Sequence, residues 1–298
     1  MLNNTHEITN MKNEFCVFIL THGRADKVYT YNTLIKAGYT GKIFIVIDNE
    51  DKQAEAYKAI YKDSVLIFDK KAIAETFDEG DNFNDRRAII YARNATFILA
   101  KNLGYRFFMQ LDDDYTSFCY RFNHQYNYIE SNIYIKSIDE IFDLMIDFYK
   151  ETPFASIAFA QGGDFMGGNQ SSLSDRIKTK RKAMNSFLCD TEKSFMFVGR
   201  INEDVNTYTS KQRAGLPFLT LNQLSLTQKQ TQTNQGGMTD LYLDSGTFVK
   251  SFYSVMYAPA CVKIVDMGHL NTRLHHQVTW NKTAPKILNE RFKKCPAN

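Results

Sequence analysis

The stretch EFCVFILTHGRADKVYTYNTLIKAGYTGKIFIVID, residues 14–48, contains two apolar runs with a segment of helical spacing between them. Residues 14–20 and 42–48 are rich in aromatic and branched side chains, which predicts two buried strands. Residues 26–39 have apolar side chains at helical spacing and end near Gly38, which predicts a helix. A strand, a helix and a second strand in this order are the unit of a parallel α/β sheet.

The same alternation continues along the first third of the chain. The pattern predicts a helix over 52–61, a strand over 64–69, a long helix over 84–104 and then another apolar strand. We therefore expect a mainly parallel, twisted, Rossmann-like sheet with flanking helices. Right-handed crossovers would bring the carboxyl ends of these strands to one edge, where α/β sheets bind ligands.

The second half of the chain is less regular. Its patterns predict two helices and three strands, over 138–151, 240–253, 154–160, 194–199 and 261–266. A glycine-rich loop covers 161–168, and a Gln/Thr/Asn-rich tract covers 227–237. We expect one domain, with one half over about 14–115 and the other over about 116–298.

Three adjacent aspartates follow a buried strand in FFMQLDDDYTSF, residues 107–118. On an extended backbone Asp112 and Asp114 would share a face and Asp113 would oppose them. Two carboxylates on one face suit a hard divalent ion such as Mg²⁺ or Mn²⁺. The alternative is an acidic turn that caps the next helix.

Composition excludes several classes of protein. The 298 residues include 36 basic and 33 acidic ones, so any nucleic-acid surface must be local. No apolar run is long enough for a transmembrane helix, and the polar N-terminus lacks a signal-peptide core, so we expect a cytoplasmic location. The five scattered cysteines form no CxxC pair, which argues against zinc sites and disulfides.

The acidic run resembles the Asp-x-Asp element of GT-A nucleotide-sugar glycosyltransferases. Three further elements of that class follow in order: the glycine-rich QGGDFMGG, an x-Glu-Asp element at Asn202–Asp204, and C-terminal histidines. The resemblance implies a divalent metal, Mn²⁺ or Mg²⁺, held by Asp112, Asp114 and one of His269, His275 and His276. It also implies that Asp204, with Glu203 as the second candidate, is the catalytic base. The simpler explanation of these two acids is charge matching at a helix N-terminus.

The resemblance further implies a set of contacts to a nucleotide sugar, with residues 14–115 as the nucleotide-binding half and 116–298 as the acceptor and catalytic half. These contacts would come from Thr21, Gly23, Arg24, Asp48, Arg93, Asn94, Asp112, Asp113, Gly162 and Gly163. The alternatives remain open: an ordinary loop for the glycines and a surface salt bridge for Arg93.

A narrower resemblance concerns ILTHGRADKVYTYNTLIKAGY, IFIVIDNED, ARNA, LDDDY and NEDVNTY. These segments are similar to the TET-associated glycosyltransferases of bacteriophages, which implies a UDP-sugar donor and a hydroxymethylated pyrimidine of DNA as the acceptor. The base would have to leave the stack to be modified. Lys178, Lys180, Arg181 and Lys182 are candidate phosphate contacts, or else a solvated loop.

Other functions share these residue types. A protein or glycan acceptor, a sugar-nucleotidyltransferase, a metal-dependent nuclease and a non-catalytic DNA-binding module are the alternatives. A nucleotidyltransferase would carry a glycine-rich basic loop after the first strand. The corresponding segment, THGRADK, has a single glycine, which argues against that function.

Overall fold

The computed structural model describes residues 13–125, 127–161, 185–229, 249–267, 273–283 and 290. The strands of its large sheet are β1 (Phe15–Leu20), β2 (Lys42–Asp48), β3 (Val65–Phe68), β4 (Phe107–Asp112), β5 (Tyr115–Phe122), β6 (Tyr128–Tyr134), β7 (Ser156–Gln161), β8 (Phe187–Asp190) and β9 (Phe218–Gln228). The helices are α1 (Tyr29–Lys36), α2 (Ala54–Tyr61), α3 (Lys70–Ala74), α4 (Ile90–Asn102), α5 (Ile138–Lys150), α6 (Glu203–Arg213) and α7, which covers 249–257. β10 (Val262–Met267) and β11 (Arg273–Val278) pair antiparallel in a separate two-stranded sheet.

The nine described strands of the large sheet lie in the order β3-β2-β1-β4-β8-β7-β9-β5-β6. The first four are parallel, with β1 between β2 and β4. The later strands are mixed: β4 pairs antiparallel with β8, β5 pairs antiparallel with β6 and β9, and β7 runs parallel to β9. The predicted Rossmann-like α/β fold is confirmed.

Apolar side chains cover both faces of the sheet. Every residue of β1 is buried, and its successive side chains enter two different clusters, with Phe15, Val17 and Ile19 in one and Cys16, Phe18 and Leu20 in the other. This is why the strand is apolar at every position, as expected of a parallel strand covered on both sides.

Several predicted boundaries are wrong. The helix expected over 84–104 begins only at Ile90, and ahead of it Asp85 accepts a hydrogen bond from the backbone N–H of Arg87. Residues 194–199 are not a strand. Their backbone bonds to side chains instead: the N–H of Phe197 donates to Asn94 Oδ1 at 2.9 Å, and that of Val198 donates to Thr207 Oγ1 at 3.1 Å. Helix α7 extends to 257, beyond the predicted end at 253.

Two further expectations can be compared with the structure. Cys16, Cys119, Cys189 and Cys261 are buried free thiols, and Cys295 lies outside the described residues. None of the helices in the described ranges is both long and apolar enough to cross a membrane.

Gly38, after α1, and Gly104, after α4, have similar backbone angles but different surroundings. Gly38 has φ +86°, and a Cβ built on it would lie 2.2 Å from the carbonyl oxygen of Lys136. Gly104 has a similar φ of +80°, but its Cβ would meet nothing within 4 Å. Gly104→Ala should therefore cost only the strain of a left-handed residue, roughly 1–2 kcal/mol, whereas Gly38→Ala should cost more because backbone must move. Urea unfolding of both variants measures the difference, and equal losses would contradict the packing described.

Candidate functional site

Three of the predicted site segments meet at one edge of the sheet. Leu20, the last residue of β1, lies beside Val46 of β2 and Asp112 of β4. The residues that follow these strands, including Thr21 and Asp48, are therefore neighbours of the acidic run. The predicted convergence of strand ends is present.

The three aspartates do not continue the strand. Asp112 ends β4, Asp113 and Asp114 form a turn, and Tyr115 begins β5. The expectation that Asp112 and Asp114 share one face of an extended backbone is wrong, because the turn breaks the alternation. The next element is a strand, so the acidic run is not a helix cap either. Each aspartate has different partners.

Asp113 points into the protein. Its carboxylate accepts hydrogen bonds from Thr21 Oγ1 at 2.6 Å and from Arg24 Nη1 at 3.3 Å. Burial raises its pKa, while the Arg24 charge and the Thr21 hydroxyl oppose that rise. Thr21 also lies 2.9 Å from the Tyr57 hydroxyl, which accepts at 2.8 Å from the backbone N–H of Arg24. These contacts fix the loop after β1.

Asp114 is incompletely bonded. Its Oδ2 accepts from Gln228 Nε2 at 3.0 Å, whereas its Oδ1 is buried without a hydrogen-bond partner among the described residues. Burial raises the pKa of this carboxyl, with the Gln228 hydrogen bond acting in the opposite direction. A buried carboxylate oxygen without a partner is costly, so this atom has the environment of a cation ligand.

Arg93 joins the acidic run to the x-Glu-Asp element. The guanidinium donates from Nη2 to Asp112 Oδ1 and from Nε to Glu203 Oε1, both at 3.0 Å, and from Nη1 to the Asn185 carbonyl at 3.2 Å. Arg93 is only 1% exposed. Its guanidinium lies 5.1 Å and 5.8 Å from the ring centres of Phe187 and Phe197.

The acids outnumber the cations that pair with them. Burial raises the pKa of Asp112 to about 7 even though Arg93 opposes the rise, and Asp114 and Glu203 add to it. Burial and the charge of Asp204 likewise raise the pKa of Glu203 against Arg93. In the described ion pairs, Arg93 pairs with both Asp112 and Glu203 and Arg24 pairs with Asp113, so three carboxyl groups share two arginines.

The x-Glu-Asp element begins α6. Asn202 has a left-handed φ of 56°, and Glu203 and Asp204 occupy the first helical turn. Glu203 is buried, whereas Asp204 is partly exposed and its Oδ1 accepts from the backbone N–H of Val205 at 2.7 Å. This placement agrees both with a catalytic role and with charge matching at the helix N-terminus.

The C-terminal segment reaches the same element. Asn202 Nδ2 donates to the Lys250 carbonyl of α7 at 2.7 Å and lies 3.5 Å from His276 Nδ1 on β11. The rings of His275 and His276 stack with their centres 4.4 Å apart. One of the predicted histidines therefore lies beside the x-Glu-Asp element.

The loop after β1 contains a histidine that the sequence analysis did not select. His22 Nδ1 donates to Asp48 Oδ2 at 2.7 Å, and Lys70 Nζ donates to the same oxygen at 3.3 Å. The backbone N–H of Gly23 donates to Asp51 Oδ2 at 2.8 Å. The sequence signal for His22 was its position just after a buried strand. Lys70, Asp51 and Gln228 gave no such signal, because the residues to which they bond are distant in sequence.

The remaining predicted residues either bond to the protein backbone or lie outside the described part. The side-chain amide of Asn94 bonds both the carbonyl and the N–H of Phe197, so Asn94 has a structural role in this arrangement. Gly162, Gly163, Lys178, Lys180, Arg181, Lys182 and His269 lie outside the described residues. Within the described ranges, no three His, Cys, Asp or Glu side chains are grouped closely enough to hold a metal ion by themselves.

Removal of Arg93 should destabilise the protein strongly. Arg93→Gln leaves Asp112 and Glu203 buried without their counter-charge, which should cost roughly 3–5 kcal/mol. The double variant Arg93→Gln/Glu203→Gln should regain part of that loss because one uncompensated carboxylate is gone. Urea unfolding at pH 8 measures both. Arg87→Gln, which breaks an exposed pair with Asp85, serves as the control and should cost about 1 kcal/mol or less.

The His22–Asp48 pair should make stability depend on pH. The hydrogen bond to Asp48 raises the pKa of His22 above its usual 6.5, against the effect of burial. The stabilisation is therefore complete below pH 6.5 and is lost as the pH rises through the higher folded-state value. Thermal unfolding should show a larger deficit for His22→Gln at pH 5.5 than at pH 8.5. His124→Gln, an exposed control, should show no such difference. A deficit for His22→Gln that does not change with pH would contradict the ion pair.

A comparison with known proteins identifies a family for this chain. A sequence model described as TET-Associated Glycosyltransferase matches residues 15–237, about three quarters of the chain. The match includes the strand ends, the acidic run, Arg93 and the x-Glu-Asp element, and it ends before α7 and the β10–β11 hairpin. No curated protein matches the chain. The chain belongs to the TET-associated glycosyltransferase family and is therefore an enzyme that transfers a sugar from a donor to an acceptor.

Proposed function

We propose that this enzyme is a metal-dependent glycosyltransferase that moves a sugar from a UDP-sugar to the hydroxyl of 5-hydroxymethylcytosine in bacteriophage DNA. The reaction would take place in the cytoplasm of the host cell. Family membership supports sugar transfer. The single observation that carries metal dependence is the buried, unpartnered Oδ1 of Asp114 at the end of the parallel strands.

The residues at this edge fit a divalent ion. Asp114 offers the unpartnered oxygen, and Asp112, whose side chain is 14% exposed, is bonded to Arg93 through Oδ1 only. Oxygen ligands of this kind suit Mn²⁺ or Mg²⁺. A third ligand would come from His269, His275 or His276, and His276 lies beside Asn202. A bound metal would neutralise the diphosphate leaving group as a Lewis acid.

The donor nucleotide would lie against the ends of β1 and β2. Thr21, Asp48 and Asp113 are already hydrogen-bonded within the protein. These residues would therefore form one rigid side of the nucleotide site. The carboxylates of Asp48 and Asp113 would also accept hydrogen bonds from the ligand. Gly23, Arg24 and Arg93, together with Gly162 and Gly163, complete the proposed nucleotide-sugar contacts.

Asp204 is the proposed base. Glu203 is buried and bonded to Arg93, whereas Asp204 is the more accessible carboxylate of the pair. The acceptor oxygen would attack the anomeric carbon while its proton passes to Asp204 and the bond to the diphosphate oxygen breaks. Glu203 would hold the start of α6 against Arg93 and so position Asp204.

Hydroxymethylcytosine in DNA is proposed as the acceptor on the narrower resemblance of the chain, with Lys178, Lys180, Arg181 and Lys182 as phosphate contacts. A protein or glycan acceptor is the alternative. Incubation with Mn²⁺, a panel of UDP-sugars and hydroxymethylcytosine DNA, followed by mass analysis of the digested nucleosides, tests this choice. A gain of one sugar on one base supports the proposal, and a gain on no base with any donor contradicts it.

Asp114→Asn should abolish transfer without unfolding the protein. The variant removes the charge that the proposed cation needs, while an amide can keep the contact with Gln228. We expect transfer to fall more than about 100-fold and Mn²⁺ affinity, measured by titration calorimetry, to weaken. Asp147→Asn removes an exposed carboxylate on α5 and should change neither. Unchanged turnover in Asp114→Asn would contradict the metal assignment.

A further inference from the structure

The loop between α3 and α4 presents an exposed aromatic ring at its tip. Phe83 is 70% exposed, more than any other large apolar side chain in the described residues. Asn82 and Asn84 flank it and are exposed as well. Asn84 has a left-handed φ of 57°, which a short amide side chain tolerates well. We call residues 82–84 the Asn-Phe-Asn tip.

The tip stands on a firmly anchored loop. Arg200, which is 1% exposed, donates from Nε to Asp81 Oδ2 at 2.5 Å, and its Nη1 lies 3.5 Å from Asp85 Oδ2. The backbone N–H groups of Gly199 and Arg200 donate to the carbonyls of Asp78 and Glu79, both at 2.8 Å. Phe83 is therefore exposed because the loop holds it there.

The loop belongs to the edge of the sheet that carries the candidate site. It follows β3 and α3 and leads into α4, the helix of Arg93. Arg86 donates to Glu50, just after β2, at 2.6 Å. On the other side, Arg200 lies a few residues before Glu203 and Asp204 in the chain. The loop that carries the tip is thus bonded to the residues after β2, and through Arg200 to the segment that leads into α6.

The chemistry of the tip suits a planar heterocycle. The Phe83 ring centre lies 5.9 Å from the guanidinium carbon of Arg200, while most of its surface is open to solvent. Amide side chains provide donors and acceptors that match the edges of a base. The two carboxylates that directly flank the tip are each paired, Asp81 with Arg200 and Asp85 with Arg87, so these two repel a polyanion less.

We propose that the Asn-Phe-Asn tip is a stacking platform for an unstacked pyrimidine of the nucleic-acid acceptor. The inference rests on the proposed function, since base modification in DNA requires the base to leave the stack. Aromatic stacking is the usual way in which proteins hold single bases. A protein partner fits less well, because the two residues that flank Phe83, Asn82 and Asn84, are exposed polar side chains.

The stacking platform can be tested independently of catalysis, by measuring the affinity for a single-stranded oligonucleotide that contains hydroxymethylcytosine. Phe83→Ala should weaken binding about tenfold, within the range for the loss of one stacked aromatic, whereas Phe83→Trp should retain it. UDP affinity should remain unchanged in both variants. Leu144→Ala removes a comparably exposed apolar side chain on α5 and serves as the control.

Tryptophan fluorescence distinguishes stacking from other contacts. In Phe83→Trp, the added emission should be quenched when the oligonucleotide binds, beyond any change in the wild-type signal of Trp280. Equal affinities for Phe83→Ala and Leu144→Ala, absence of added quenching, or absence of wild-type oligonucleotide binding would each overturn the inference. Oligonucleotide binding with quenching but no sugar transfer to DNA would support the platform and overturn only the proposed reaction.

Discussion

The candidate site depends on the ion pairs and hydrogen bonds of the buried Arg93 guanidinium. The guanidinium contacts Asp112 at the end of β4, Glu203 at the start of α6 and the carbonyl of Asn185 just before β8. Three segments that are distant in sequence are thereby held at fixed distances. Each carboxylate would be costly to bury alone, so the arginine stabilises the buried positions of both.

Arg93 does not satisfy the site completely. Asp114 keeps one buried oxygen without a partner, and the pKa of Asp112 stays raised to about 7 beside the guanidinium. Folding thus buries more carboxyl groups at this edge of the sheet than its arginines pair with. Such stored electrostatic cost is typical of sites that bind a charged ligand.

The first half of the fold was readable from sequence because its signals are local. β1, α1 and β2 each have a periodic pattern, and parallel strands covered on both faces are apolar at every position. Residues 194–199 have the apolar pattern of a strand, but an apolar run can be buried outside a sheet when side chains such as Asn94 bond its backbone. The role of Arg93 and the turn at Asp113 depend on contacts between distant segments, which no local pattern encodes. His22 was missed although its position was informative; the pairing with Asp48 became evident only in three dimensions.

The strand order has a consequence for biosynthesis. β4 lies between β1 and β8, and residues 187–190 of β8 leave the ribosome long after β4 is complete. Until then the nascent chain has an open, apolar strand edge, the type of surface that promotes aggregation. Efficient production of this enzyme should therefore depend on how quickly translation delivers the missing neighbour, or on a chaperone that shields the edge in the meantime.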